Sequence, residues 1–174
     1  MMSNVQASLR AFCDGDHAIG EALRRINRSV ARTVMPGRFI TLFYAEIDAR
    51  SHTVRYSNAG HNFPLLRRSD GTLEELRTGG LILGPIEDAT YDVGETGFGP
   101  DDALLLYSDG ISEAMDMRDQ EYGEERLRAL WQASQRLTPL AAVDRLIADV
   151  ETFRGNRSQS DDITAVVVGA RAAS

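Results

Sequence analysis

Between residues 38 and 76 the chain is divided by turn signals into four short runs of β-forming residues, and no other feature limits its possible folds as much. RFITLFYAEID (38–48) is β-branched and aromatic, apolar on both faces at its start, which predicts a buried strand. Residues 53–58, 63–68 and 73–76 continue as short strands. Ala59-Gly60-His61-Asn62 and Ser69-Asp70-Gly71 supply the turns, the Asp-Gly pair being a strong hairpin signal. Sequential hairpins imply antiparallel pairing, because parallel neighbours need long crossover connections.

Helical patterns bracket this β-rich centre. Residues 1–12 read as a helix, with Val5, Leu9 and Phe12 at helix spacing, and Asp14, Gly15 and Asp16 break and recap the chain. The next helix runs to about Val34 on a stripe of Ile19, Leu23, Ile26, Val30 and Val34, while Arg24, Arg25, Arg28 and Arg32 form a solvated face. Residues 79–100 carry six glycines and two prolines and predict a loop-rich excursion with one strand near residues 91–95. ALLLYS (103–108) is a further buried strand stopped by Asp109-Gly110. Helices over 123–135 and 139–153 follow, the second with Thr138 as N-cap and Pro139 at its first position. DITAVVVG (162–169) closes the series as a strand. The expectation is one α+β domain over residues 1–174.

Composition removes several chemistries. All 19 basic residues are arginine, so no lysine is present to form a Schiff base or serve a phosphate-binding loop. A single cysteine, Cys13, excludes an internal disulfide, a Cys-rich zinc site and an iron–sulfur cluster. The three histidines, His17, His52 and His61, are too scattered for a zinc helix. A net charge of −7 argues against nucleic acid as a partner. With neither an apolar run long enough for a bilayer nor a signal-peptide pattern, no membrane association is expected and the cytoplasm is the expected compartment.

Asp109 ends one apolar strand and Asp161-Asp162 open another. In an antiparallel pair the end of one strand and the start of its neighbour share a sheet edge, so these acids can converge despite their separation in sequence. Converging carboxylates resist ionising unless a cation lies between them, and magnesium or manganese takes such oxygen ligands. Acidic residues at strand ends are most often turn formers or caps, and that reading stands ahead of a metal site on these residues alone.

Five segments in order, RFITLFYAEID, NAGHNFPLLRR (58–68), GGLILG (79–84), LLLYSDGISEA (104–114) and QSDDITAVVV (159–168), resemble the SpoIIE/RsbU branch of the PPM metal-dependent protein serine/threonine phosphatases. The resemblance covers residues 3–168. It implies a sandwich of two antiparallel sheets flanked by helices and a binuclear Mn2+ or Mg2+ centre at one edge. Asp109 matches the aspartate of the (T/S)DG metal motif and Asp161 the metal aspartate opening DD(I/M)T. Asp162 matches that aspartate's neighbour, and Gly110 would allow a tight turn. His61, in the AGHN turn, stands near where related phosphatases can place a third-metal ligand; the alternative is a histidine bonding its own turn. Asn62 and Glu113 are open in the same way, Glu113 as a cap of the short helix after Asp109. The implied chemistry is direct attack of a metal-activated water on phosphoserine or phosphothreonine. The implied partner is a regulatory protein of the anti-sigma-factor antagonist type, with a sensor domain or a dimer partner as a further possibility.

The family opens with a GDxxD-type strand and a DVSGHG-type turn that supply other metal ligands, and neither occurs here. The start, MMSNVQASLRAF, resembles the helix just after that turn, so an N-terminally truncated form of the domain is expected. Asp109 and Asp161 would then be two carboxylates where a binuclear centre needs about four, which weakens metal affinity. The alternative function is a non-catalytic pseudophosphatase or interaction module that keeps the family's binding surface.

Overall fold

The computed structural model describes residues 18–35 and 37–170. The expected helix over 1–12, the 14–16 break, Cys13 and His17 lie outside them. The order is α1 (Ile19–Thr33), β1 (Leu42–Asp48), β2 (Thr53–Ala59), β3 (Leu65–Arg67), β4 (Leu73–Glu75), β5 (Gly79–Gly80), β6 (Gly94–Gly97), β7 (Ala103–Tyr107), α2 (Asp109–Ser112), α3 (Glu124–Ala133), α4 (Pro139–Arg154) and β8 (Ala165–Gly169). This is a mixed α+β fold with two four-stranded sheets. The chain divides into two compact units, one running up to His61 and resuming over Leu76–Gly97, the other formed by Asn62–Glu75 and the chain from Phe98 onward.

In the first unit β2 is central. It pairs antiparallel with β1, from Leu42 opposite Ala59 to Asp48 opposite Thr53, and antiparallel with β6. It also pairs parallel with β5 over two residues. Glycine is required at Gly79 in β5, where a Cβ would lie 1.9 Å from the Asn58 carbonyl oxygen. Helix α1 buries Ile19, Leu23, Ile26 and Val30 against Ala59, Leu83, Ala89 and Tyr91, the stripe its spacing predicts. Asn27 is also fully buried on that face. Its Nδ2 donates to the carbonyls of Ile86 (2.8 Å) and Glu87 (2.9 Å), and its Oδ1 accepts from Gly84 N–H (2.9 Å). One side chain thereby holds the 84–87 loop to the helix.

Tyr91 is 6% exposed and its hydroxyl has no hydrogen-bond partner among the described residues. Burial pushes the phenol up to about 12 from its ordinary 10.0. The folded state therefore holds this proton more tightly than the unfolded chain. Its contribution is constant below pH 10 and is lost as pH rises toward 12. Tyr91→Phe is expected to leave stability at neutral pH unchanged or raise it by up to about 1 kcal/mol. It should also remove part of the alkaline decline, as read from denaturation midpoints at neutral pH and at about pH 11.

In the second unit the strand order is β4-β3-β7-β8, all antiparallel. Its core joins Leu65, Leu105, Tyr107 and Ile111 to Leu127 and Trp131 of α3 and to Leu146 and Val150 of α4. Tyr107 donates to both carboxylate oxygens of Glu124 (2.9 and 2.8 Å), tying β7 to the start of α3. Burial first, and that carboxylate second, hold its phenol far above the ordinary range. Thr138 Oγ1 accepts from Ala141 N–H (3.3 Å) with Pro139 opening α4, as the sequence predicts.

Three expectations need correction. β2 and β3 do not form a hairpin: they belong to different sheets, and residues 60–64 carry the chain from one to the other. The strand expected at 91–95 lies at Gly94–Gly97, because Tyr91 is used in a bridge to Gly80. The strand expected over 38–48 begins at Leu42 and is half-buried, turning exposed from Glu46. Its outer edge has no partner strand among the described residues.

Candidate metal centre

Asp109 follows β7 and opens α2; Asp161 and Asp162 precede β8. Because β7 and β8 are antiparallel neighbours, with Tyr107 opposite Ala165, the two acidic segments meet at one end of the second unit's sheet. Ser108 fastens them. Its N–H donates to Thr164 O (3.0 Å), its Oγ donates to Asp162 O (2.9 Å), and that same Oγ accepts from Thr164 N–H (2.9 Å). The sequence reading gave Ser108 no role, although it is the first residue of the (T/S)DG match and stands between an apolar strand and Asp-Gly.

Gly110 lies in the first turn of α2, directly after β7 and beneath the 161–162 backbone, and its φ is not positive. A Cβ there would stand 2.4 Å from Asp162 O and 3.3 Å from Asp161 O. A backbone carbonyl cannot swing aside as a flexible side chain does. Gly110→Ala is therefore expected to part the two segments and to lower stability by about 2 kcal/mol. Amide shifts at Ser108 and Thr164, with a denaturation curve, check this.

Asp109, Asp161 and Asp162 are all exposed. Asp109 Oδ1 accepts from Gly110 N–H (2.9 Å) and Asp161 Oδ1 from Asp162 N–H (2.7 Å). Gln159 Nε2 donates to Asp161 O (2.7 Å), closing the loop. Each carboxylate therefore keeps an oxygen with no hydrogen-bond partner among the described residues. Glu113 is exposed at the C-terminal end of α2, where its backbone N–H, and not its side chain, bonds Asp109 O (2.8 Å).

His61 and Asn62 fall on opposite sides of the division between units, His61 ending one segment of the first and Asn62 beginning the second. The backbone of His61 is held by Asn58, whose Oδ1 accepts from His61 N–H (2.7 Å) and whose Nδ2 donates to His61 O (2.9 Å). Its Nδ1 lies 3.5 Å from Thr41 Oγ1. His61 and Asn62 are both half-buried.

Oxygen-only donors of this kind suit a hard divalent cation in chemistry. In number they fall short of a binuclear centre: among the described residues no three His, Cys, Asp or Glu side chains are grouped to hold a metal.

The family profile Stage II sporulation protein E (SpoIIE) matches residues 1–171. The chain belongs to the SpoIIE family. This SpoIIE-family chain is 33% identical to the phosphoserine phosphatase RsbU of Bacillus subtilis over 94 residues, which are 53% of this chain and 28% of that one. Over 89 residues, 51% of this chain and 14% of the other, it is 29% identical to protein IcfG of Synechocystis. It thus spans well under a third of these curated relatives. Among solved structures, the RsbU and RsbW domains of Rv1364c from Mycobacterium tuberculosis superpose with a TM-score of 0.77 at 25% identity, over 99% of this chain and 48% of that one. The phosphatase domain of SpoIIE from B. subtilis gives 0.66 at 18%, over 99% and 74%. The PPM Ser-Thr phosphatase MsPP of Mycobacterium smegmatis gives 0.68 at 23%, over 97% and 79%. The α+β fold is that of the PPM phosphatases. None of the helices among the described residues is long and apolar enough to cross a membrane.

Proposed function

We propose that this chain is part of a SpoIIE-type protein phosphatase that removes phosphate from phosphoserine or phosphothreonine of a cytoplasmic regulatory protein of the anti-sigma-factor antagonist type. The observation that carries the reading is the fastening of the Asp109 and Asp161 segments across Gly110 by Ser108. Asp109 and Asp161 would hold Mn2+ or Mg2+, with Asp162 behind them and further ligands from outside the described residues or from a partner. When bound, such a metal supplies an activated water and neutralises charge on the phosphoryl group. This chain's own residues hold the two acidic segments together: Ser108 joins their loops, Gly110 admits the close approach, and Gln159 bonds back within the 159–161 turn. Kinship with RsbU and RsbP, phosphoserine phosphatases of B. subtilis, supports the substrate class, and a neighbour structure that contains both RsbU and RsbW domains supports a regulatory partner.

The test is hydrolysis of a phosphoserine peptide with and without Mn2+. Turnover that needs Mn2+ and stops with a chelator is the expected result. A second reading, an interaction module that binds the antagonist or a sensor partner and hydrolyses nothing, draws on the lack of a three-ligand group among the described residues. Folded protein that binds the phosphopeptide without metal-dependent turnover would select it.

A further inference from the structure

Ser108 makes one cross-link between the segments that carry Asp109 and Asp161, and Arg157 makes a second. Arg157 Nη1 donates to Asp116 O (3.1 Å) and pairs with Asp119 Oδ1 (2.6 Å). Asp109 lies between Ser108 and Asp116 on one segment, and Asp161 lies between Arg157 and Asp162 on the other. Chain and cross-links together therefore close a ring that carries one acid on each side.

The two sides of the second cross-link are unequal. The 115–121 loop is braced from within: Met115 bridges Glu121, and Asp116 N–H donates to Gln120 O (2.9 Å). Asp116 Oδ1 accepts from the N–H groups of Arg118 (2.7 Å) and Gln120 (2.9 Å). The 155–162 segment has less support. It leaves α4 at Gly155, and every residue in it except Arg157 is exposed. Gln159 reaches Asp161 O and Arg154 at the end of α4, and no further. Ser108 holds the segment from Asp162 onward, on the β8 side of Asp161. On the α4 side, the hold on the 115–121 loop is Arg157.

We infer that Arg157 is a positioning residue for the candidate metal centre: it anchors the α4 side of the Asp161 segment on the braced 115–121 loop and so keeps Asp161 at the acidic junction. This role rests on reading Asp109 and Asp161 as ligands of a divalent cation. Charge and clamp predict opposite signs. As a charge, a guanidinium four residues from Asp161 repels a metal, and its removal would tighten binding. As a clamp, its removal lets the segment leave the place from which Asp161 can bind, and affinity falls. That fall cannot exceed what the clamp contributes to holding the segment. One charge-assisted bond to a carbonyl and one exposed ion pair support roughly fivefold.

The probe is MnCl2, titrated into the 15N-labelled full chain while paramagnetic broadening of the Gly110 and Asp162 amides is followed. Expected is localised broadening in the wild type. In Arg157→Ala the titration midpoint should move to roughly fivefold higher Mn2+ while the thermal midpoint stays unchanged. Arg157→Lys keeps the charge and can reach one acceptor, so its midpoint should fall between the two. An Arg157→Ala midpoint equal to or below that of the wild type would overturn the role of Arg157 and leave the metal site standing. Wild-type broadening no stronger at Gly110 and Asp162 than elsewhere would overturn the metal site, and this role with it. If the alanine variant does not fold, the lysine variant decides, and a midpoint equal to that of the wild type overturns the clamp.

Discussion

Asp109→Asn is expected to lower Mn2+-dependent hydrolysis of a phosphoserine peptide by on the order of a hundredfold or more, with the fold intact. The fold survives because Asp109 is exposed and the amide oxygen of asparagine can still accept from Gly110 N–H, the bond that Oδ1 makes in the wild type. Activity falls because a neutral amide is a poor ligand for a hard cation and supplies no charge. Asp161→Asn is the companion substitution, since it too preserves the local bond, here to Asp162 N–H. Equal losses in both, with unchanged circular dichroism and thermal midpoint, would place both carboxylates at the reacting centre. Turnover within roughly threefold of wild type in either variant would remove that residue from the site.

Asn27→Ala is expected to lower stability by about 3 kcal/mol. Three hydrogen bonds vanish together, and the groups they leave, Gly84 N–H and the carbonyls of Ile86 and Glu87, lie beside a helix face that has no water to offer. Ile86 and Glu87 are exposed residues, so their carbonyls recover part of their solvation, which is why the figure is not larger. Asn27→Asp separates donor from acceptor. It retains an oxygen for Gly84 N–H, loses both donations, and buries a charge facing two carbonyls, so its loss should be the greater. Urea denaturation of the two variants beside wild type measures both. An alanine variant within about 0.5 kcal/mol of wild type would show that the 84–87 loop is held by other means.

The parts of the fold that follow hydrophobic periodicity were legible in the sequence. The stripe of α1, the apolar run of β7, and the cap and proline of α4 all stand where their spacing puts them. So did the convergence of the Asp109 and Asp161 segments, because antiparallel pairing of the two flanking strands brings their ends to one edge. What escaped was set by backbone approach and by buried polar groups. β5 consists of Gly79 and Gly80, which have no side chains to carry a pattern; its signal is the space a Cβ would need. Residues 59–62 read as a hairpin turn, yet Asn58 uses its amide to clamp His61 while the chain passes between sheets, a distinction of long-range pairing. Asn27 and Arg67 are polar side chains in buried positions, where polarity alone suggests a solvent face.

The pairing of β8 with β7 also fixes when in its synthesis this chain can acquire its acidic pair. Folding during translation proceeds from the N-terminus. The first unit has all its described strands once Gly97 has emerged, and β3, β4 and β7 can associate soon after. Asp109 is then already made, but the segment that comes to lie over Gly110 is held there by the strand that begins at Ala165. A nascent chain released before that strand is complete keeps Asp109 without the pairing that brings the Asp161 segment to it. The two acidic segments meet only in a molecule whose translation has passed β8, so ribosomal drop-off products lack that junction.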